Sequence, residues 1–242
     1  MAERPSIDAP LATVYSAPDA SSEPSNQLLY SESVEVLEEC GAWKQIKSVH
    51  DGYEGWIEAA LKPCGPPTHR VKALRTHLYN APNYKTAPVQ AVYFLSPLTV
   101  NADRQDGFAR LENGLWIFEN HIETIDTKVD DFVETALRFQ GTPYLWGGRS
   151  ADGIDCSGLV QIALMASGIN AERDTGQQIK TLGTPTETPA RGSLVFFDRH
   201  VGIMVDETHI LNATARTMDT RIETLQSLIA HYGEPLAIKS IR

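Results

Sequence analysis

The apolar pattern of this chain changes period near residue 124, and that change divides it into parts that cannot share one architecture. Before it, short apolar stretches alternate with polar letters: Ala12-Thr13-Val14-Tyr15, Val34-Glu35-Val36-Leu37, Trp43-Lys44-Gln45-Ile46 and Gly55-Trp56-Ile57. Turn letters such as Pro18-Asp19 break the stretches. A period of two bounded by turns predicts a small all-β unit. After the change, Val129, Phe132, Val133, Ala136 and Leu137 recur at helical spacing, which predicts a helix over 128–140, capped by Thr127 and stopped by Gly141. Leu159, Val160, Ala163 and Leu164, with Gly168 beyond, predict a second helix over 156–167. Strands are expected at 193–197, 200–205 and 209–213. A helix carrying Leu225, Leu228, Ile229 and Tyr232, closed by Gly233, then leads to a last strand at 236–241. Helices followed by a run of strands indicate an α+β fold rather than a doubly wound parallel sheet.

The β part reads as a repeat. Tyr15 and Pro18 are echoed by Tyr79 and Pro82, Val34-Glu35-Val36-Leu37 by Leu98-Thr99-Val100, and Trp56-Ile57 by Trp116-Ile117. Pro63-Cys64-Gly65-Pro66-Pro67 is the expected linker, because two prolines after a glycine cannot continue a strand ladder. Both copies resemble bacterial SH3-like barrels, a likeness that implies contacts with wall peptides or proteins rather than chemistry. The expected domains are 1–63, 68–125 and 126–242.

Composition removes several functions. With 31 acidic residues against 21 basic, the net charge of −10 opposes a phosphate backbone or an anionic lipid surface, so neither nucleic acid nor membrane is expected as a partner. No apolar run exceeds five letters, against the roughly 20 a spanning helix needs. The opening Met1-Ala2-Glu3-Arg4-Pro5 has an acid and a proline where a signal peptide carries a basic and then an apolar region, and a cytoplasmic location is expected. Cys40, Cys64 and Cys156 show no CxxC spacing, which argues against a disulfide framework or a structural zinc. His50, His69, His77, His121 and His231 have no partner at metal-ligand spacing, and no GxGxxG or Walker loop is present. No metal or cofactor is expected, and the oligomeric state is left open.

The densest cluster runs from Gly141-Thr142-Pro143-Tyr144-Leu145-Trp146-Gly147-Gly148-Arg149 into Asp155-Cys156-Ser157-Gly158. A thiol in the first helical turn meets the positive end of the macrodipole, which favours the thiolate and makes Cys156 a candidate nucleophile. The plain alternative is a buried, inert cysteine. Its base is expected to be His200, on a strand whose odd positions Val201, Ile203 and Val205 are β-branched, so that the even side faces away from the core. A hairpin centred on Asp206 would set His200 opposite Asn212 and Val201 opposite Leu211. The Asn212 amide oxygen would then fix the imidazole tautomer. The plain alternative is a strand histidine and a turn asparagine with no joint role.

These segments, followed in order by Arg173-Asp174-Thr175-Gly176-Gln177-Gln178, Gly192-Ser193-Leu194-Val195-Phe196-Phe197 and His200-Val201-Gly202-Ile203, resemble the NlpC-type papain-like cell-wall cysteine peptidases. The resemblance covers 126–242. With SH3-like units in front, the chain is similar to γ-D-glutamyl-L-diamino-acid endopeptidases, which act on murein peptides. It implies a papain-like domain, with Cys156 as nucleophile, His200 as base and Asn212 as third polar residue, where many members have histidine. It implies that Tyr144 supports an oxyanion hole with the Cys156 N–H. It further implies that Asp155, Ser157 and Thr175 hold the free amine of the substrate's L-Ala, and that Tyr53, in Asp51-Gly52-Tyr53-Glu54-Gly55-Trp56, supplies a wall. The alternatives are an acyl transferase or amidase using the same residues, and a catalytically degenerate module that binds wall peptides. Trp43, Trp56 and Trp116 are expected in the barrel cores, and Cys40 and Cys64 as small hydrophobes or exposed thiols.

Overall fold

A computed structural model describes residues 4–241. The first three residues and the last, which the expected domain limits include, lie outside the described residues. The chain divides after Thr127 into two compact units.

The N-terminal unit is built from β strands. Its first half holds β1 (Arg4–Ile7), β2 (Leu11–Tyr15), β3 (Pro24–Leu29), β4 (Val34–Cys40), β5 (Trp43–Ser48), β6 (Glu54–Ile57) and β7 (Leu61–Cys64). Its second half holds β8 (His69–Val71), β9 (Arg75–Tyr79), β10 (Pro88–Tyr93), β11 (Pro97–Leu98), β12 (Val100–Gln105), β13 (Phe108–Leu111), β14 (Trp116–Phe118) and β15 (Ile122–Thr124). The two five-stranded sheets have the same order, β3-β2-β6-β5-β4 and β10-β9-β14-β13-β12. Tyr15 pairs with Trp56 in the first and Tyr79 with Trp116 in the second, so the echoed letters occupy equivalent places. Each half has its own core. Val14, Leu28, Ile46 and Ile57 form the first, and Leu78, Val92, Ala109 and Ile117 the second.

Three expectations for this unit need correction. The tryptophans are half-buried rather than in the cores. Trp56 precedes core-facing Ile57, and successive side chains on a strand point to opposite faces. Trp43 lies edge-on to Tyr15 with centroids 5.4 Å apart, and the Arg110 guanidinium sits 5.7 Å over Trp116. The linker begins later than expected, because β7 runs through Pro63 and Cys64. There Pro63 pairs with Pro5, a position at which neither residue has an N–H to offer. Cys64 is half-buried, and only Cys40 is exposed.

The C-terminal unit contains α1 (Phe132–Leu137), β16 (Arg149–Ser150), β17 (Gly153–Ile154), α2 (Cys156–Ala166), α3 (Thr175–Thr181), β18 (Thr184–Pro185), β19 (Leu194–Phe197), β20 (His200–Met204), β21 (His209–Thr214), β22 (Asp219–Thr224), α4 (Leu225–Tyr232) and β23 (Ala237–Ser240). Its six-stranded sheet is antiparallel, in the order β18-β23-β19-β20-β21-β22. The first helix is shorter than its periodicity suggests. Asp131, not Thr127, caps it, its Oδ1 accepting from the Val133 N–H at 2.8 Å, while Thr127 closes a turn back to Thr124. The even side of β20 does not face away from the core. Met204 packs with Val195, Phe197 and Ile210 beneath Leu225, Leu228 and Ile229 of α4. Val201, Ile203 and Leu211 on the alternate face are equally buried, and α2 packs against β20 and β21. A sheet covered on both faces loses the polar-and-apolar alternation that marks a one-sided strand.

Gly55 marks a close crossing. A Cβ there would lie 2.4 Å from Val14 Cγ1 and 3.0 Å from the Tyr15 carbonyl oxygen. Gly55→Ala is therefore expected to destabilise the N-terminal unit by about 1–3 kcal/mol, as overpacking does. Urea unfolding followed by tryptophan fluorescence checks this, and a midpoint equal to wild type would show that the crossing has slack.

Candidate active site

The site is assembled around the start of α2. Asp155 caps this helix, and its carboxylate is fully engaged. Oδ1 accepts from the Gly158 N–H at 2.7 Å and from Arg173 Nη1 at 3.0 Å, while Oδ2 accepts from the Gly147 N–H at 2.9 Å and from Arg173 Nη2 at 2.6 Å. Arg173 is 1% exposed. Burial opposes its charge, and Asp155 more than restores it. Such a pair is costly to break, because removing one partner strands the other and typically loses about 3–5 kcal/mol. The clamp holds Gly147, at φ +76°, in the turn Leu145–Gly148, where the Gly148 N–H bonds the Leu145 carbonyl at 2.9 Å. Gly158 lets the helix approach this loop, since a Cβ there would sit 2.4 Å from the Gly148 carbonyl oxygen.

Cys156 is the first residue of α2 and is 7% exposed. Its sulfur lies 3.9 Å from Thr175 Oγ1, and the Val201 N–H, next in sequence to His200, is directed at it. The expected thiolate is not the resting state. Burial, with the negative charge of Asp155 adding to it, pushes the thiol up to about 11, against Val201, Thr175 and Arg173, which lower it. At this site desolvation outweighs the helix terminus.

His200 is 5% exposed, and its Nε2 lies 3.2 Å from Asn212 Oδ1. An amide oxygen only accepts, so Nε2 carries the hydrogen and Nδ1 is left as the acceptor of a neutral imidazole. The register that brings them together differs from the expected one. Ile203 pairs with Leu211 and Met204 with Ile210, so the hairpin is centred on Glu207, and His200 faces the level of Thr214. A shift of two residues preserves the face, and Asn212 is reached diagonally. The Tyr232 ring stacks on the imidazole with centroids 4.5 Å apart and planes 16° from parallel, and its hydroxyl is 3.1 Å from Thr214 Oγ1. Burial pulls His200 down to about 4, against Asn212 and Glu223, which raise it.

Tyr144 is held by bonds from its N–H to the Met218 carbonyl and from the Leu145 N–H to the Ile154 carbonyl, and its phenol is close enough to Cys156, Asp155 and Tyr232 to feel their charge. Burial, then those groups, push it above the usual tyrosine range. Ser157 Oγ accepts from Arg173 Nη1 at 2.9 Å and donates to Asp155 Oδ1 at 3.3 Å. Cys156, Tyr144, Asp155, Ser157, Thr175, His200 and Asn212 thus share the C-terminal unit. Tyr53 belongs to the N-terminal one, packed against its first core, with its N–H on Asp51 Oδ1 at 3.1 Å. Among the described residues no group of three or more His, Cys, Asp or Glu side chains is placed to hold a metal ion.

Residues 141–232 match the NlpC/P60 family, and residues 14–60 match the bacterial dipeptidyl-peptidase SH3 domain. Residues 141–232 form an NlpC/P60 family domain. The chain is 26% identical to dipeptidyl-peptidase 6 of Lysinibacillus sphaericus across 96% of this chain and 95% of that one. It is 27% identical to the γ-D-glutamyl-L-lysine dipeptidyl-peptidase of Bacillus subtilis (strain 168), over 84% of this chain and 76% of that one. The crystal structure of an NlpC/P60 family protein from Bacillus cereus ATCC 10987 superimposes with a TM-score of 0.84, covering 97% and 98% of the two chains at 21% identity, which establishes the shared fold. The NlpC/P60 unit is papain-like, with helix α2 bearing the cysteine packed on an antiparallel sheet, and SH3-like β units precede it.

Several residues that build this NlpC/P60 site carried no role in the sequence. Arg173 and Gln178 stood inside a quoted motif. Gln178 Nε2 donates to the Ser157 carbonyl at 3.0 Å and the Glu172 carbonyl at 2.8 Å, tying α3 to α2. Tyr232 read as an apolar helix position. Glu223, on the strand beside Asn212, had no local signal at all.

The shift of His200 has a stability consequence. An unfolded histidine titrates near 6.5 and the folded one near 4, so between these values the unfolded chain binds a proton that the native state refuses. Stability contributed by neutral His200 is present above about 6.5 and lost as pH falls towards 4, amounting to about 3 kcal/mol. Urea titrations at pH 7 and pH 4.5 should show a smaller loss for His200→Gln than for wild type; equal losses would place the histidine in a more solvated setting.

Proposed function

We propose that this chain is a cysteine endopeptidase that hydrolyses the bond between γ-D-glutamate and the following L-diamino acid in murein peptides bearing a free N-terminal L-alanine. The observation that carries the reading is the His200–Asn212 bond, which leaves Nδ1 of a neutral imidazole to receive a proton, in the unit that holds the buried Cys156 thiol. The γ-D-glutamyl-L-lysine dipeptidyl-peptidase activity for which the Bacillus subtilis relative is named supports the choice of bond.

In the proposed reaction the Cys156 sulfur attacks the γ-carbonyl carbon as its proton passes to His200 Nδ1. The oxyanion is met by the Cys156 backbone N–H and the Tyr144 hydroxyl. Each such donor is worth on the order of a hundredfold in rate. Collapse breaks the C–N bond, His200 delivers the proton to the departing α-amine, and the L-Ala-γ-D-Glu moiety remains as a thioester. Water then attacks the thioester with His200 as base, releasing the dipeptide and restoring the thiol. Forming charge only during attack suits a pair whose burial disfavours either ion at rest.

Asp155, Ser157 and Thr175 form the proposed subsite for the L-Ala ammonium. The strong donors on Asp155 are internal, so the ammonium shares that carboxylate with Arg173 rather than meeting a vacant one. In intact wall the L-Ala amine is acylated by the glycan strand. The proposed setting is therefore recycling of released peptides in the cytoplasm.

An L-Ala-γ-D-Glu-diamino-acid tripeptide should release L-Ala-D-Glu with wild type and at least about a thousandfold more slowly with Cys156→Ala. N-acetylation of the alanine should lower kcat/KM by about tenfold to a hundredfold, the range of one charge-assisted contact. Release by Cys156→Ala at the wild-type rate, or indifference to acetylation, would contradict the nucleophile or the subsite respectively.

A further inference from the structure

An asparagine beside a catalytic histidine has an ambiguity that a carboxylate lacks. Its amide presents an acceptor and a donor of nearly the same shape. A half-turn about the last side-chain torsion would aim Nδ2 at the His200 Nε2–H, set two donors together and release the imidazole to its other tautomer. Something must therefore hold Asn212 with its oxygen toward His200.

The neighbouring strand β22 supplies it. Asn212 pairs with Arg221 and Ile210 with Glu223, so Asn212 and Glu223 project from the same face of the sheet, one step apart along the diagonal. Asn212 Nδ2 donates to Glu223 Oε2 at 3.3 Å and to the Arg221 carbonyl at 3.4 Å. Both groups only accept. With the amide reversed, Oδ1 would oppose a carboxylate and a carbonyl while Nδ2 opposed an N–H, so a single orientation satisfies every group. Glu223 is itself anchored, because its other oxygen forms an ion pair with Arg216. Asn212 is 0% exposed, so no solvent is at hand to satisfy the flipped form.

We propose that Glu223 is a positioning residue of the active site, which fixes the Asn212 amide and through it the tautomer of His200. The inference rests on the cysteine-hydrolase reading above for its catalytic meaning, though its geometric content concerns only this chain's own residues. The charged and titratable groups around His200 are Glu223 and Arg216 behind Asn212, His231 and Tyr232 from α4, and the Cys156 thiol from α2, beside the Val201 N–H. Burial pushes the Glu223 carboxyl up, and Arg216 and Asn212 more than reverse it, so it stays charged at neutral pH. Arg216 offsets part of that charge at His200, which makes the role of Glu223 chiefly one of orientation.

The test reads the thiol directly, so that it does not depend on the choice of peptide. Iodoacetamide alkylation of Cys156 at pH 7, followed by peptide mapping to separate it from Cys40 and Cys64, is compared among wild type, Glu223→Ala, Glu223→Gln, Asn212→Ala and the Asn212→Ala/Glu223→Ala double variant. Glu223→Ala should alkylate about tenfold more slowly than wild type, the weight of one charge-assisted hydrogen bond. Glu223→Gln keeps an oxygen for Nδ2 and should stay within about threefold of wild type. Glu223→Ala should add nothing in the Asn212→Ala background, since it acts through that amide. On a cleaved peptide, kcat should fall with KM unchanged. Alkylation of Glu223→Ala at the wild-type rate, loss by Glu223→Gln as large as by Asn212→Ala, or multiplicative losses in the double variant would each overturn the proposal. The expected alkylation pattern in a protein that cleaves no murein peptide would leave this inference standing and overturn the proposed substrate instead.

Discussion

The catalytic unit depends on one buried carboxylate. Asp155 joins three pieces of chain: the first turn of α2 through Gly158, the loop bearing Tyr144 through Gly147, and the segment leading into α3 through Arg173. Each bond does local work, capping a helix, fixing a turn and neutralising a buried guanidinium. Together they set where Cys156 stands relative to Tyr144 and Thr175. The glycines at 147 and 158 follow from the same demand: the first holds the turn at a φ of +76°, and a Cβ on the second would lie 2.4 Å from the Gly148 carbonyl oxygen.

The same burial sets the charge state of Cys156 and His200. A helix terminus alone would favour a thiolate, and an exposed imidazole would titrate near neutrality. Here Cys156 is pushed up to about 11 and His200 down to about 4, so at neutral pH each is neutral. The imidazole is prepared by geometry rather than by charge. Asn212 holds its Nε2–H, Tyr232 covers one face, and Nδ1 is left with a free lone pair.

Much of this was legible in the sequence where the signal is periodic or compact. The change of period near residue 124 separated the β repeats from the α+β unit, and Tyr15, Trp56, Tyr79 and Trp116 showed the repeat before their pairings were seen. Asn212 was reached by a hairpin register two residues out. His200 and Asn212 still meet because side chains alternate with a period of two, so an even slip keeps every residue on its face. The helix cap was misplaced at Thr127 because periodicity says which residues face inward and little about where hydrogen bonding begins. The clamp partner Arg173 and the amide lock Glu223 lay beyond sequence reading for a different reason. Each acts on a residue 11 to 18 positions away, across a strand pair or between a loop and a helix, and no local pattern records such a contact.

The proposed reaction requires covalent chemistry at one of three thiols, and that can be observed without steady-state kinetics. A murein tripeptide is mixed with the full chain, quenched in acid within the first turnover, and the digested protein is searched by mass spectrometry for L-Ala-γ-D-Glu held as a thioester. The proposed reaction predicts the adduct on the peptide containing Cys156, with Cys40 and Cys64 unmodified and the adduct absent from Cys156→Ala. Peptide cleavage with no thioester at Cys156, or a thioester at either of the other cysteines, would contradict it.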